Sequence, residues 1–232
     1  QNRTVDCGSN VSTVVPRQSG GLMIAVEAGF ASLDFESEQV ELVCSPESRP
    51  EMRFNDGKCD PAGRFWAGSL AQSEDLAIGT LYALETDMTA SKKLEGLTIP
   101  NGIVWTSDQE TMYYIDSPTM KIDAYDYDVE TGAISNQRVA VTVSEEDCWP
   151  DGMAIDAEDM IWVAHWGGGR VNRFNPRTGE KLLQIDLPAA QVTAPAFGGP
   201  DLKHLYITIA AHGLEGEAAE KQPHAGSLSL SE

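Results

Sequence analysis

Long apolar runs are missing from this sequence of 232 residues, and no stretch approaches the ~20 residues that a membrane-crossing helix needs. Basic residues are scarce: 16 Lys and Arg stand against 36 Asp and Glu, for a formal charge of −20. That balance argues against a nucleic-acid partner, which requires clustered Lys and Arg against phosphates. An acidic surface favours cations instead. Cysteine is thin as well. Cys7, Cys44, Cys59 and Cys148 are scattered and form no CxxC pair, which removes zinc knuckles and thioredoxin-like redox sites. Nor are they dense enough for a disulfide framework, so reduced thiols and a cytoplasmic location are expected. Histidine spacing of the HExxH type is absent, and no segment has the periodicity of an amphipathic helix.

What the chain does have is repetition. GGLMIAVE (20–27), GRFWAGSL (63–70), ETMYYIDS (110–117), DMIWVAHW (159–166) and KHLYITIA (203–210) are short apolar or aromatic segments that each follow a polar turn. Their starts lie 43, 47, 49 and 44 residues apart. A second segment follows each: 29–36, 79–85, 121–128, 169–176 and 226–232, with apolar and polar residues alternating as in strands. The first four repeats add a further strand. A period of 40–50 residues with about four short strands is the signature of propeller blades. The expected fold is therefore all-β, a β-propeller of four-stranded blades with about five repeats visible, in a single domain over 1–232. Residues 2–8 read as an outer strand able to complete the last blade, which otherwise closes on its third strand.

Polar residues recur in register with this repeat. Asn55 stands 11 residues before Trp66, Asn101 12 before Tyr113, and Asp151 11 before Trp162. Each lies at or beside a glycine, in Asn55-Asp56-Gly57, Asn101-Gly102 and Asp151-Gly152; repeats one and five hold Thr13 and Pro195 at the comparable place. Asn-Gly and Asp-Gly are ordinary turn dipeptides, because both residues tolerate positive φ. Three in one register, each at the start of an innermost strand, also make an oxygen-rich site suited to a hard divalent cation. Both readings are open at this point.

The motifs RFNDGKCDPAGRFWAG, IPNGIVWTSD, MYYIDS, DAYDYDVETGAISNQR, PDGMAIDAEDMIWVAHWGGGRV and AFGGPDLKHLYITIA resemble the senescence-marker protein (regucalcin), gluconolactonase and luciferin-regenerating enzyme family, from about residue 11 onward. The resemblance implies a six-bladed propeller that holds one divalent metal ion (calcium, zinc, magnesium or manganese) and hydrolyses sugar lactones. By motif it implies Asn101 and Asp151 as metal ligands, Asp151 also as the base that activates water, and Arg53 and Asn55 as contacts to the sugar lactone. The sequence departs from the family in two respects. The first blade, which carries a ligand glutamate, has no counterpart in QNRTVDCGSNVSTVVPRQSGG, and the last outer strand is also absent. A further acidic substrate contact falls near Gln72–Ser73, with Glu74 adjacent. The alternatives to a lactonase are a non-catalytic calcium-binding or interaction propeller, or an inactive fragment of a lactonase.

Other candidates have simpler readings. His165 suits either a pocket rim or a packed position between Ala164 and Trp166, and the packed one is favoured. His204, His212 and His224 read as surface residues. Asp116 is a candidate pocket residue or the cap of the Ser117-Pro118 turn, Asp56 and Asp60 read as turn formers, and Gly167-Gly168-Gly169 as a tight turn. The acidic stretch from Glu215 to Glu220 is expected to be solvated.

Overall fold

The alternation read from the sequence does produce strands. In a computed structural model describing residues 4–231, the first sheet is β1 (Val11–Pro16), β2 (Leu22–Val26), β3 (Gly29–Leu33) and β4 (Val40–Cys44). The second is β5 (Met52–Cys59), β6 (Phe65–Ala71), β7 (Gly79–Leu84) and β8 (Ala90–Leu97). The third is β9 (Pro100–Trp105), β10 (Thr111–Asp116), β11 (Lys121–Asp128) and β12 (Ala133–Thr142). The fourth is β13 (Trp149–Ile155), β14 (Ile161–Trp166), β15 (Arg170–Asn175) and β16 (Glu180–Asp186). The fifth has three strands, β17 (Val192–Gly198), β18 (His204–Ile209) and β19 (Leu228–Ser231). In every sheet the strands lie side by side in chain order. These are propeller blades, and the all-β, β-propeller class expected from the repeats is the observed one. Helix is confined, among the described residues, to the five-residue α1 (Gly216–Glu220) and two single turns.

One expected strand is not there. Residues 4–8 carry no strand, and residues 2 and 3 lie outside the described residues. The Asp6 carboxylate instead accepts from the Gly8 N–H at 2.8 Å, and Gly8 takes a left-handed φ of 69°. An Asx turn of this kind breaks an extended segment.

The chain divides into two compact units, one taking the chain up to Pro100 together with Val129–Ala133, the other Asn101–Asp128 and the chain from Ile134 onward. In the first unit, Met23, Ala25, Phe30, Phe54, Phe65, Ala67, Tyr82 and Leu84 pack between the first two sheets. The Phe30 ring lies 5.3 Å from Phe54 and 5.4 Å from Phe65 in tilted and edge-on contacts, the geometries that aromatic quadrupoles prefer. In the second unit, Tyr113 and Ile115 of β10, Ile122 and Ala124 of β11 and Ile161 and Val163 of β14 fill the space between the third and fourth sheets. Tyr113 pairs with Ala124 and Ile115 with Ile122, so the period-2 pattern delivers one apolar stripe per strand. Each fully buried Ile contributes ~1.5–3 kcal/mol. The outer strand β12, by contrast, is mostly exposed.

A polar staple recurs at the turn leading into the second strand. Asp60 Oδ1 accepts from the backbone N–H groups of Ala62 (3.0 Å) and Arg64 (2.8 Å), and Oδ2 from Trp66 Nε1 (3.0 Å). Asp156 repeats the arrangement with Glu158 N, Met160 N and Trp162 Nε1 at 2.9, 3.0 and 2.9 Å. The turn role expected of Asp60 is correct, but its carboxylate also locks the aromatic strand that follows. Arg64, 8% exposed, pairs with Asp60 and Glu85 and donates to the carbonyls of Val129 and Glu130. Those bonds hold residues 129–133 to the first unit.

Candidate functional site

The glycines beside the three Asx residues are not turn glycines. Gly57, Gly102 and Gly152 all lie within strands and none has a left-handed φ. Their role is close approach. A Cβ on Gly102 would sit 2.9 Å from the Asp151 carbonyl and 2.8 Å from the Met153 nitrogen; one on Gly152 would sit 2.6 Å from the Thr193 carbonyl. Asn101-Gly102 therefore lies directly against Asp151 through Met153, and the backbones meet there because no side chain intervenes.

Bulges aim the side chains. The pairing register shifts between Phe54 and Gly57 in β5, between Pro150 and Met153 in β13, between Val11 and Thr13 in β1 and between Val192 and Ala194 in β17. The residues caught in the shift are Asn55 and Asp56, Asp151 and Gly152, Ser12, and Thr193. A bulge turns its extra residue off the regular alternation. The positions comparable to Asp151 are thus Ser12 and Thr193, not Thr13 and Pro195, because each directly follows the residue at which the register shifts. Asp56 is likewise no turn former: it sits in the β5 bulge, where burial raises its carboxyl above the usual range against the opposing charge of Lys58.

In the second unit the structure brings Asn101 and Asp151 together. Asn101 is 8% exposed. Its Nδ2 donates to Ser117 Oγ at 2.7 Å, and Ser117 Oγ donates to the Pro150 carbonyl, next to Asp151, at 2.6 Å. In the first unit, Arg53 Nη1 donates to Asn55 Oδ1 at 3.0 Å, Arg53 Nη2 pairs with Glu74, and Asn55 Nδ2 donates to the Pro100 carbonyl at 2.8 Å. Glu74, adjacent to the place where the family pattern puts an acidic contact, is thus held by the Arg53 fork. The guanidinium and carboxylate are 28% and 51% exposed, so both remain accessible to a solute.

The other candidates do not join these groups. His165 is fully buried, with Asn172 Nδ2 3.1 Å from its Nε2. Burial pushes its pKa down to about 4 against the nearby Asp147 charge and the Cys148 backbone. The packed reading is the correct one. His204 is half-buried, whereas His212 and His224 are exposed. Asp116 does not cap its turn with its side chain; its carbonyl accepts from Thr119 Oγ1 at 2.7 Å. Residues 167–169 form the expected turn. The four cysteines are free and half-buried.

Among the described residues, no group of three or more His, Cys, Asp and Glu side chains is placed to hold a metal ion. The two candidate ligands are one amide and one carboxylate, hard oxygen donors that suit calcium, magnesium or manganese better than a thiolate-seeking metal. A cation held here would take the rest of its coordination from water and substrate.

The family model described as SMP-30/Gluconolactonase/LRE-like region matches residues 1–211. The chain belongs to this family. Regucalcin from Danio rerio is 42% identical over 218 residues, 93% of this chain and 74% of that protein. A solved luciferin-regenerating enzyme superposes with a TM-score of 0.88 at 32% identity, covering 97% of this chain and 78% of that one. A calcium-binding protein, regucalcin, from Agrobacterium tumefaciens superposes with a TM-score of 0.90 at 28% identity, covering 96% and 75%. Membership in a family that includes gluconolactonases supports a lactonase-like, hydrolytic role. No helix among the described residues is long and apolar enough to cross a membrane.

Sequence reasoning missed Ser117, although it closes the quoted motif MYYIDS; a lone serine beside a proline reads as turn chemistry. It also missed Ser12 and Thr193, which lie one and two residues before the positions that the repeat suggests, Thr13 and Pro195.

Proposed function

We propose that this chain hydrolyses sugar lactones with the help of one divalent cation held by Asn101 and Asp151. The observation that carries the reading is the contact of the two inner strands. Gly102 lets Asn101 lie against Asp151, and Ser117 joins the Asn101 amide to the peptide before Asp151. The Agrobacterium relative, described as calcium-binding, supports calcium as the ion. When bound, the cation supplies a Lewis acid for the lactone carbonyl and lowers the pKa of an adjacent water.

The protein's own residues supply the rest. Asp151 accepts the proton of the attacking water, the work of a carboxylate general base. Arg53 offers a planar fork of donors to the hydroxyl and ring oxygens of the sugar. Asn55 holds that fork by accepting from Nη1, and the half-exposed Glu74 carboxylate on the other guanidinium nitrogen is the proposed acceptor for a sugar hydroxyl. The water's oxygen bonds to the carbonyl carbon, the ring C–O bond breaks, and the proton passes to the departing ring oxygen, yielding an open hydroxy acid.

The test is Asp151→Asn, which keeps size and hydrogen-bonding capacity but not basicity. Turnover of gluconolactone should fall at least 100-fold, within the range general-base catalysis contributes, with the thermal midpoint little changed. Full turnover at unchanged metal content would overturn the role given to Asp151.

A further inference from the structure

We propose that Ser117 is a positioning residue: its hydroxyl fixes which end of the Asn101 amide is presented to the cation and so sets the cation affinity. The inference rests on the functional reading above. It comes from a bonding pattern that recurs at the inner strands and includes a hydroxyl at Asn101. Ser12 donates to the carbonyl of Phe54, the residue before Asn55, at 2.8 Å. Asn55 donates to the carbonyl of Pro100, the residue before Asn101, also at 2.8 Å. In both cases a polar side chain at an inner strand bonds directly to the peptide preceding the next Asx residue.

At Asn101 the corresponding carbonyl, that of Pro150, is reached through a hydroxyl. Ser117 is inserted, accepting from Asn101 Nδ2 and donating to Pro150 O. A hydroxyl carries a single proton. Because the Pro150 carbonyl can only accept, that proton is committed to it, and the Ser117 oxygen can only accept from Asn101. The nitrogen end of the amide is therefore assigned to Ser117, and the oxygen end, the one a cation needs, to the opposite side. With the hydroxyl gone, a half-turn of the amide would no longer break this chain of bonds, and an N–H group could face the ion.

The hydroxyl is held rigidly. Ser117 is 2% exposed and opens a single helical turn, Ser117–Thr119, with Pro118 as its second residue. Met120 closes the turn with a left-handed φ of 54° and an N–H bond to the Ser117 carbonyl. Proline fixes its own φ at the start of such a turn, which leaves the serine little freedom.

The experiment is a calorimetric titration of the full chain with calcium, for the parent and for Ser117→Ala, Ser117→Cys and Ser117→Thr, with thermal midpoints recorded in chelator. Cysteine fills the serine volume but is a weak hydrogen-bonding group, whereas threonine keeps the hydroxyl. A positioning role predicts that Ala and Cys weaken the calcium Kd at least tenfold, while Thr stays within about threefold of the parent. A packing role predicts that Cys matches the parent in Kd, and that result overturns the proposal even if Ala fails to fold. A parent chain that binds no divalent cation overturns the cation reading itself. A parent that binds, with unchanged Kd in Cys, overturns only the part given to Ser117.

Discussion

His165 provides a stability test that is independent of any ligand. The imidazole is fully buried, and burial lowers its pKa to about 4, against about 6.5 in an unfolded chain. Between these values the unfolded state binds the proton and the folded state does not. Stability from this group is therefore complete above about pH 6.5 and is lost as the pH falls toward 4. The full difference amounts to about 3 kcal/mol, of which about 2 kcal/mol falls between pH 7 and pH 5. For a chain of this size that corresponds to about 4–8 °C in the thermal midpoint.

Carboxylates held below their usual range, such as Asp147 and Asp156, lose their contributions only at more acid pH. The contribution of Asp156 also cancels when parent and variant are compared, whereas Asp147 is coupled to His165 and belongs to the same effect. The variant is His165→Gln, which keeps an acceptor for the Asn172 amide. Thermal melts at pH 7 and pH 5 should show the parent losing those degrees relative to the variant. Equal losses in the two proteins would refute the claim that His165 is buried neutral.

Other perturbations probe the packing and the site. Gly102→Ala places a Cβ within 3 Å of the Asp151 and Met153 backbone; it should cost ~1–3 kcal/mol, as overpacking does, and should also weaken calcium binding, measured by melts and calorimetry on one preparation. Asp156→Ala strips the partners of Trp162 Nε1 and Arg173 Nε, with an expected loss of ~2–4 kcal/mol in urea unfolding. Arg53→Lys keeps the charge but loses the fork, so KM for gluconolactone should rise several-fold while the melt is unchanged, because its pair with the half-exposed Glu74 is worth about 1 kcal/mol or less.

The blades were legible because each strand carries its own period-2 stripe, as in Tyr113 and Ile115 against Ile122 and Ala124, and because the repeat length betrays four strands per unit. The outer strand expected over 2–8 is not formed over the described residues 4–8, where Asp6 and Gly8 make an Asx turn that composition alone does not reveal. At the site, Asn55, Asn101 and Asp151 stand out through their shared register, and the family resemblance singles out the last two, whose backbones the structure places side by side at Gly102. The reason for the neighbouring glycines was not legible. A dipeptide such as Asn101-Gly102 looks the same whether glycine supplies a positive φ or clears space for the Asp151 carbonyl. Ser117 was invisible for a related cause: its two partners, Asn101 and Pro150, lie 16 and 33 residues away, and only the fold makes them neighbours.

Gluconolactone hydrolysis by this 232-residue chain tests the central claim most directly. Proton release would be followed above the spontaneous rate, first as prepared, then in chelator, then with calcium, magnesium, manganese or zinc restored one at a time. The account predicts turnover that chelator abolishes and at least one of these ions restores. Turnover that persists undiminished in chelator, or none with any of the four ions, would contradict it.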